Sequence, residues 1–168
     1  MSICLDGFAD GVAILPEKPQ MNLPPTLPQA DTDPRVARLQ KFFAKLHCPV
    51  KDFASDFVTA ADENNLDWRL LPSISVVESG GGKACRHNNI FGWNQGESAF
   101  SSIRACIHEV ASRIGNSPLY RRHADVTGKL RIYNKHDGYA ASVVALMERI
   151  SPAPSEDYYQ PKILLQTN

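Results

Sequence analysis

The sequence predicts a single, mainly helical domain, either all-α or α with one tiny hairpin. Three observations predict it. Between about residues 35 and 150 the apolar residues recur at steps of three and four, the period of a helix that buries one face. Alternation of apolar and polar residues, the mark of a half-buried strand, nowhere persists beyond a few positions. Stretches rich in proline or polar residues, without any period, flank this region on both sides.

Residues 1–34 carry Pro16, Pro19, Pro24, Pro25, Pro28 and Pro34 and read as a flexible, extended segment. The domain is expected over residues 35–150. Its first helix is marked by Val36, Leu39, Phe42, Phe43 and Leu46, and its second by Phe53, Phe57, Val58 and Ala61, closed by Asn64-Asn65. Leu70, Leu71, Ile74 and Val77 mark a short third helix, which tolerates Pro72 only in its first turn. Phe100, Ile103, Ile107, Val110 and Ile114 give the clearest stripe, with Gly115 as its expected stop. Tyr139, Val143, Leu146 and Ile150 form a final helix. Pro152, Pro154 and Ser155-Glu156-Asp157 then begin a flexible tail, residues 151–168.

Composition narrows the function. Eighteen basic residues balance eighteen acidic ones and form no stripe, so no nucleic-acid partner is expected. No apolar run reaches the roughly 18–20 residues that span a bilayer, so no integral membrane contact is expected either. Val12-Ala13-Ile14-Leu15 is interrupted upstream by Asp6 and Asp10 and preceded by no basic residue, so no secretory signal is visible. The cysteines, Cys4, Cys48, Cys85 and Cys106, lack metal-site spacing, and the five histidines form no pair four residues apart; no metal or cofactor is expected. Two states stay open for the thiols: a Cys85–Cys106 bridge across an intervening loop, or buried free cysteines.

The chemistry concentrates on Glu78. Ser79-Gly80-Gly81-Gly82 must end the third helix, which leaves Glu78 in or just past its last turn, beside unpaired carbonyls at the negative end of the helix dipole. That neighbourhood, with partial burial, would favour the protonated carboxylic acid, the form a general acid in glycoside cleavage requires. On position alone, an ordinary solvated glutamate explains it as well.

Its neighbours carry more information. The run Leu70-Leu71-Pro72-Ser73-Ile74-Ser75-Val76-Val77-Glu78-Ser79-Gly80-Gly81-Gly82-Lys83, followed by Asn88-Asn89-Ile90-Phe91-Gly92-Trp93, resembles the core of the bacterial lysozyme-like glucosaminidase domains, the mannosyl-glycoprotein endo-β-N-acetylglucosaminidase-like family. In that family a helix ends in Glu-Ser-Gly, and a glycine turn and an Asn-Asn-aliphatic-Phe-Gly segment follow. A Tyr-Asn stretch then precedes a final helix containing tyrosine. Ile132-Tyr133-Asn134 and Gly138-Tyr139-Ala140 look like those last elements, so the resemblance covers roughly residues 35–150 in order. The chain departs from the pattern at Gly81, where many relatives carry a serine, tryptophan or other residue. It departs again at Lys135-His136, where many carry a proline after the asparagine.

The resemblance implies a lysozyme-like helical domain with a short loop or small hairpin lobe beside the active-site cleft. It implies a peptidoglycan hydrolase of the N-acetylglucosaminidase type, a periplasmic or extracellular monomer that cuts a β-1,4 bond with Glu78 as its acid. Asn89, Phe91, Trp93, Tyr133 and Tyr139 are the expected substrate-binding residues, as aromatic faces for sugar rings and an amide for an N-acetyl group. The residues themselves leave structural roles open: Phe91 and Trp93 as plugs of the core, Tyr133 as a packing residue, Asn88 as a turn cap and Asn89 as a brace for the loop. No second carboxylate can be placed, since Glu97 and Asp137 both read equally well as turn residues. Family members can work without one, through the substrate acetamido group or a lytic transglycosylase route. A muramidase, and a non-catalytic glycan-binding or structural module of the same fold, are the other readings. A cysteine hydrolase built on Cys85 with His108, His123 or His136 is a weaker one, because Cys85 neither starts a helix nor sits in a marked electropositive pocket.

Overall fold

A computed structural model describes residues 33–152. The expected flexibility of residues 1–32 and 153–168, and Cys4, lie outside the described residues. Asp33 opens the first helix, α1 (Pro34–Lys45), by accepting the Arg35 N–H at 2.8 Å. Pro34, grouped by the sequence with the proline-rich segment, occupies the first helical position, where no N–H is needed. A 3-10 turn, Pro49–Phe53, leads into α2 (Ala54–Glu63), which ends at Asn64 with Asn65 in the left-handed region. Then come α3 (Leu70–Ser79), α4 (Ile103–Asn116), the single turn α5 (Pro118–Arg121), α6 (Val126–Tyr133) and α7 (Tyr139–Ile150).

The molecule is therefore mainly helical, and Pro72 does lie in the first turn of α3. No strand occurs among the described residues. A lone antiparallel bridge joins Arg86 and Asn89.

The clearest stripe needs a correction at both ends. Ser102 caps α4 by accepting the Ala105 N–H at 3.0 Å, so Phe100 lies outside the helix; its N–H instead bonds the His87 carbonyl and its carbonyl takes the Asn88 amide. Gly115 does not stop α4. A Cβ there would lie 2.5 Å from the Asn64 carbonyl oxygen, so the glycine is the point where α4 passes against the end of α2. The helix ends one residue later because Pro118 opens α5. The sequence does not announce α6, which buries only Leu130 and contains Gly128. With one buried position it shows no stripe.

The core is aromatic along its length. Phe43 of α1 lies 5.4 Å from Phe57 of α2, and Phe57 meets Phe91 edge-on at 6.3 Å, so the chain of rings runs from α1 into the loop after α3. All three are fully buried, each burial contributing about 2–3 kcal/mol. The helix that carries Glu78 packs chiefly on α7. Arg69, just before α3 and itself buried, locks that pair: its guanidinium grips Asp67 at 2.6 Å, the Ser151 carbonyl at 2.6 Å and Glu148 at 3.4 Å. It thus ties the start of α3 to the end of α7.

Arg69→Met strands the Ser151 carbonyl and Asp67, and we expect a loss of about 2–4 kcal/mol in denaturant unfolding; a change within about 0.5 kcal/mol contradicts the lock. The Arg35 guanidinium beside Asp33 holds that carboxyl below its ordinary value of 3.8. Asp33 therefore stabilises the fold above that ordinary value, and its contribution is lost as pH falls through the lower folded value. Asp33→Asn should lower stability near pH 7 and reduce its fall below about pH 4, measured as melting temperature against pH.

Candidate functional site

Glu78 stands in the last turn of α3, and the chain reverses immediately after it. Gly80 adopts φ 63° and ψ 33°, its N–H bonding the Val76 carbonyl at 3.0 Å, and the Gly81 N–H bonds that of Ser75 at 2.9 Å. Backbone carbonyls that the helix leaves open are satisfied by the turn itself. Gly81 is obligatory here: its φ is 66°, and a Cβ would sit 2.5 Å from the Cys48 sulfur. Cys48 fills the space that a side chain on Gly81 would take.

Between Glu78 and the glycines lies Ser79, which the sequence reading did not single out. Its buried hydroxyl donates to the Ile90 carbonyl at 2.8 Å, lies 3.1 Å from the Ser75 carbonyl, and accepts the Gly82 N–H at 2.9 Å. One side chain therefore joins the helix end, the glycine turn and the loop that faces Glu78. The Glu-Ser-Gly pattern displays the serine, but its partner lies eleven residues on and no local rule points there.

The facing loop runs Asn88 to Gly96. Gly92 has φ 60°, and a Cβ on it would lie 2.9 Å from Glu78 Oε2, so the backbone passes directly over the carboxylate. On the other side the Tyr139 hydroxyl donates to Glu78 Oε1 at 2.7 Å. The carboxylate is half-buried and held from both sides. Tyr139 lies parallel to Tyr133, ring centres 6.0 Å apart, and Tyr133 meets Trp93 edge-on at 5.7 Å. The Tyr133 hydroxyl donates to the Phe91 carbonyl. Burial, and for both rings the neighbouring Glu78, push the two phenols well above the ordinary tyrosine range, so they act as neutral donors.

Of the six residues singled out by the sequence, Glu78, Trp93, Tyr133 and Tyr139 come together in this cluster. The structure places Asn89 in the internal bracing of its own loop and Phe91 in the core. Asn89 is buried, and its amide is consumed within its own loop, donating to the Trp93 carbonyl and accepting the Trp93 N–H, both at 2.9 Å. Phe91 is fully buried against Phe57 and anchors the loop from below. Tyr139 offers little surface, since only 8% of it is exposed, and it holds Glu78 more than it forms a wall. Trp93 is backed by Tyr120 at 6.5 Å and by the Arg113 guanidinium at 5.5 Å over its ring. Neither backing residue belongs to a local motif.

No family model matches the chain, and no curated protein does. The site must therefore be judged on its own geometry. Cys48, Cys85 and Cys106 are all free thiols, so the Cys85–Cys106 bridge is absent among the described residues. Burial pushes the Cys106 thiol up to about 12, far from a thiolate. No histidine hydrogen-bonds Cys85, and His108 is engaged with Glu63 of α2 at 3.2 Å. The cysteine-hydrolase reading gains no geometric support. Neither Glu97 nor Asp137 is bonded to Glu78 or to Tyr139. Among the described residues no group of histidine, cysteine and acidic side chains could hold a metal ion, and no helix is long and apolar enough to cross a membrane.

The loop's dependence on Ser79 and Gly92 can be measured. Ser79→Ala leaves the Gly82 N–H and the Ile90 carbonyl without a partner and should cost about 2–3 kcal/mol in denaturant unfolding; unchanged stability contradicts the three-way tie. Gly92→Ala adds left-handed strain of about 1–2 kcal/mol and pushes the Glu78 carboxylate aside. The expected result is a lower melting temperature and a displaced Glu78 in a crystal structure of the variant.

Proposed function

We propose that this chain is a lysozyme-like glycoside hydrolase that cleaves a β-1,4 bond in N-acetylglucosamine-containing cell-wall glycan, with Glu78 as the general acid. The observation that carries the reading is the setting of Glu78. A half-buried carboxylate stands in the last turn of a helix, accepts the Tyr139 phenol, and lies against Gly92, where no side chain crowds it, beside the rings of Tyr133 and Trp93. A glycosidase needs one carboxyl group in a defined rotamer at a cleft, and aromatic faces against which sugar rings stack. Tyr139 supplies the rotamer, and Trp93 with Tyr133 the faces.

In this mechanism Glu78 gives its proton to the leaving glycosidic oxygen as the bond to the anomeric carbon breaks. Positive charge then grows on the ring, and either water or the substrate's own acetamido oxygen completes the displacement. The second route requires no second carboxylate, and among the described residues the hydrogen bond that Glu78 accepts comes from the Tyr139 hydroxyl.

The test is release of fragments from isolated peptidoglycan by the wild type and by Glu78→Gln, an isosteric change that keeps an acceptor for Tyr139. Loss of about 10²–10⁴-fold in rate is expected if a general acid is removed. Mass spectrometry of the fragment ends separates glucosaminidase, muramidase and anhydro-forming transglycosylase products. Equal release by both proteins contradicts the assignment, and binding without release by either makes the chain a glycan-binding module. Tyr139→Phe, which removes only the phenol, should lower the rate by about tenfold with folding intact.

A further inference from the structure

Trp93 belongs to a loop, yet its ring meets three helices. The Arg113 guanidinium, from the last turn of α4, lies over it at 5.5 Å. Tyr120 of α5 is 6.5 Å away at a tilt of 32°, and Tyr133 of α6 meets it edge-on at 5.7 Å. Among the described residues Arg113 is the one cation placed over an aromatic ring. Its guanidinium also meets Glu109, one helical turn back, at 3.5 Å, with both side chains about half exposed. That distance is the long limit of a hydrogen bond, and a solvated pair one turn apart contributes little, so the ring is the stronger partner. The ring in turn connects to the carboxylate. Tyr133 stacks on Tyr139, and Tyr139 donates to Glu78. Trp93 thus continues a row of rings that starts at Glu78, and Arg113 closes that row from α4.

We infer that Arg113 is a positioning residue for glycan binding, which seats the Trp93 indole so that a sugar ring can stack on it beside the tyrosines. The inference rests on the proposed function for its ligand. A sugar stacks on an aromatic face, so a ring whose plane is already fixed spares the binding energy that would otherwise order it. The loop fixes the Trp93 backbone, through the Asn89 amide at its N–H and its carbonyl, and leaves the ring to its neighbours. The Tyr133 hydroxyl is spent on the Phe91 carbonyl, so Tyr133 meets the indole through its ring. Apolar contact of this kind has little directional preference, whereas a cation is drawn to the face of an indole and not to its edge. Three rings separate Arg113 from Glu78, so its loss falls on binding and leaves proton transfer unchanged.

The experiment compares wild type with Arg113→Met, Arg113→Lys and Glu109→Gln. Trp68 and Trp93 are the two tryptophans of the chain, so ¹⁵N-labelled protein gives two indole N–H signals, which Trp93→Phe assigns. The heteronuclear NOE of the Trp93 indole reads the mobility of the ring, with that of Trp68 as the internal reference. Affinity for tri-N-acetylchitotriose is measured by titration, and kcat and KM on soluble glycan fragments of peptidoglycan. Arg113→Met is expected to lower the Trp93 NOE and leave that of Trp68 unchanged. It should raise Kd and KM by about fivefold, which corresponds to about 1 kcal/mol, at unchanged kcat. Arg113→Lys, which keeps a cation, should restore much of the loss, and Glu109→Gln should behave as wild type. An unchanged Trp93 NOE or unchanged chitotriose affinity in Arg113→Met overturns the inference. So does the same loss in Glu109→Gln, which would assign the effect to the ion pair, or a fall in kcat at unchanged KM. If the wild type neither binds chitotriose nor cleaves glycan, the proposed function fails and the glycan role of Arg113 with it, while the NOE separately decides whether Arg113 seats the ring.

Discussion

The structure depends first on the hydroxyl of Ser79. The helix that carries Glu78 in its last turn reverses its chain at once, which leaves the carboxylate half-buried. The glycines make the reversal sterically possible and their N–H groups close the helix end, but they add conformational freedom. Ser79 supplies the constraint they lack, because its buried hydroxyl reaches the turn at Gly82 and the opposing loop at Ile90. A hydroxyl both donates and accepts, so one small group can satisfy two backbone partners where an alanine would leave both unpaired. Ile90, pinned in this way, lies two residues before Gly92, which rests over Glu78.

The rest of the scaffold secures the same geometry from below and behind. Phe91 plugs into the ring chain that runs through Phe57 to Phe43, so the loop is fastened to α1 and α2 as well as to α3. Arg69 fastens α3 to the far end of α7, and α7 brings Tyr139 to the carboxylate from its own first turn. Glu78 is thus held by elements that begin and end more than sixty residues apart in the chain. Asn89 belongs to this support too: its amide bridges the loop internally, just after Asn88, which has φ 58°.

Much of this was legible in the residues. The helical stripes of α1, α2, α3, α4 and α7 each bury three or more residues, which is what makes a period visible, and α6 was invisible because Leu130 alone is buried. Gly115 misled for a related reason. A glycine near the end of a stripe reads as a stop, and here it serves a close approach to Asn64 that only packing creates. The proposed site was partly legible, since Glu78, Trp93, Tyr133 and Tyr139 lie in recognisable local patterns. Those patterns name residue types but not the directions of their side chains. Phe91 and Trp93, two apart in one loop, consequently looked alike, and the structure buries one fully while leaving the other half-exposed.

The sequence by itself determined the mainly helical class, the five longest helices and the place where a helix must break after Glu78. Each of these follows from interactions within a few residues: periodic burial of one face, and the freedom of consecutive glycines. Only the tertiary structure decided that Gly92 and Tyr139 meet the carboxylate and that Asn89 and Phe91 serve the loop. Those outcomes depend on which distant segments share a boundary, and close packing with saturation of buried polar groups selects among them once the whole chain is assembled.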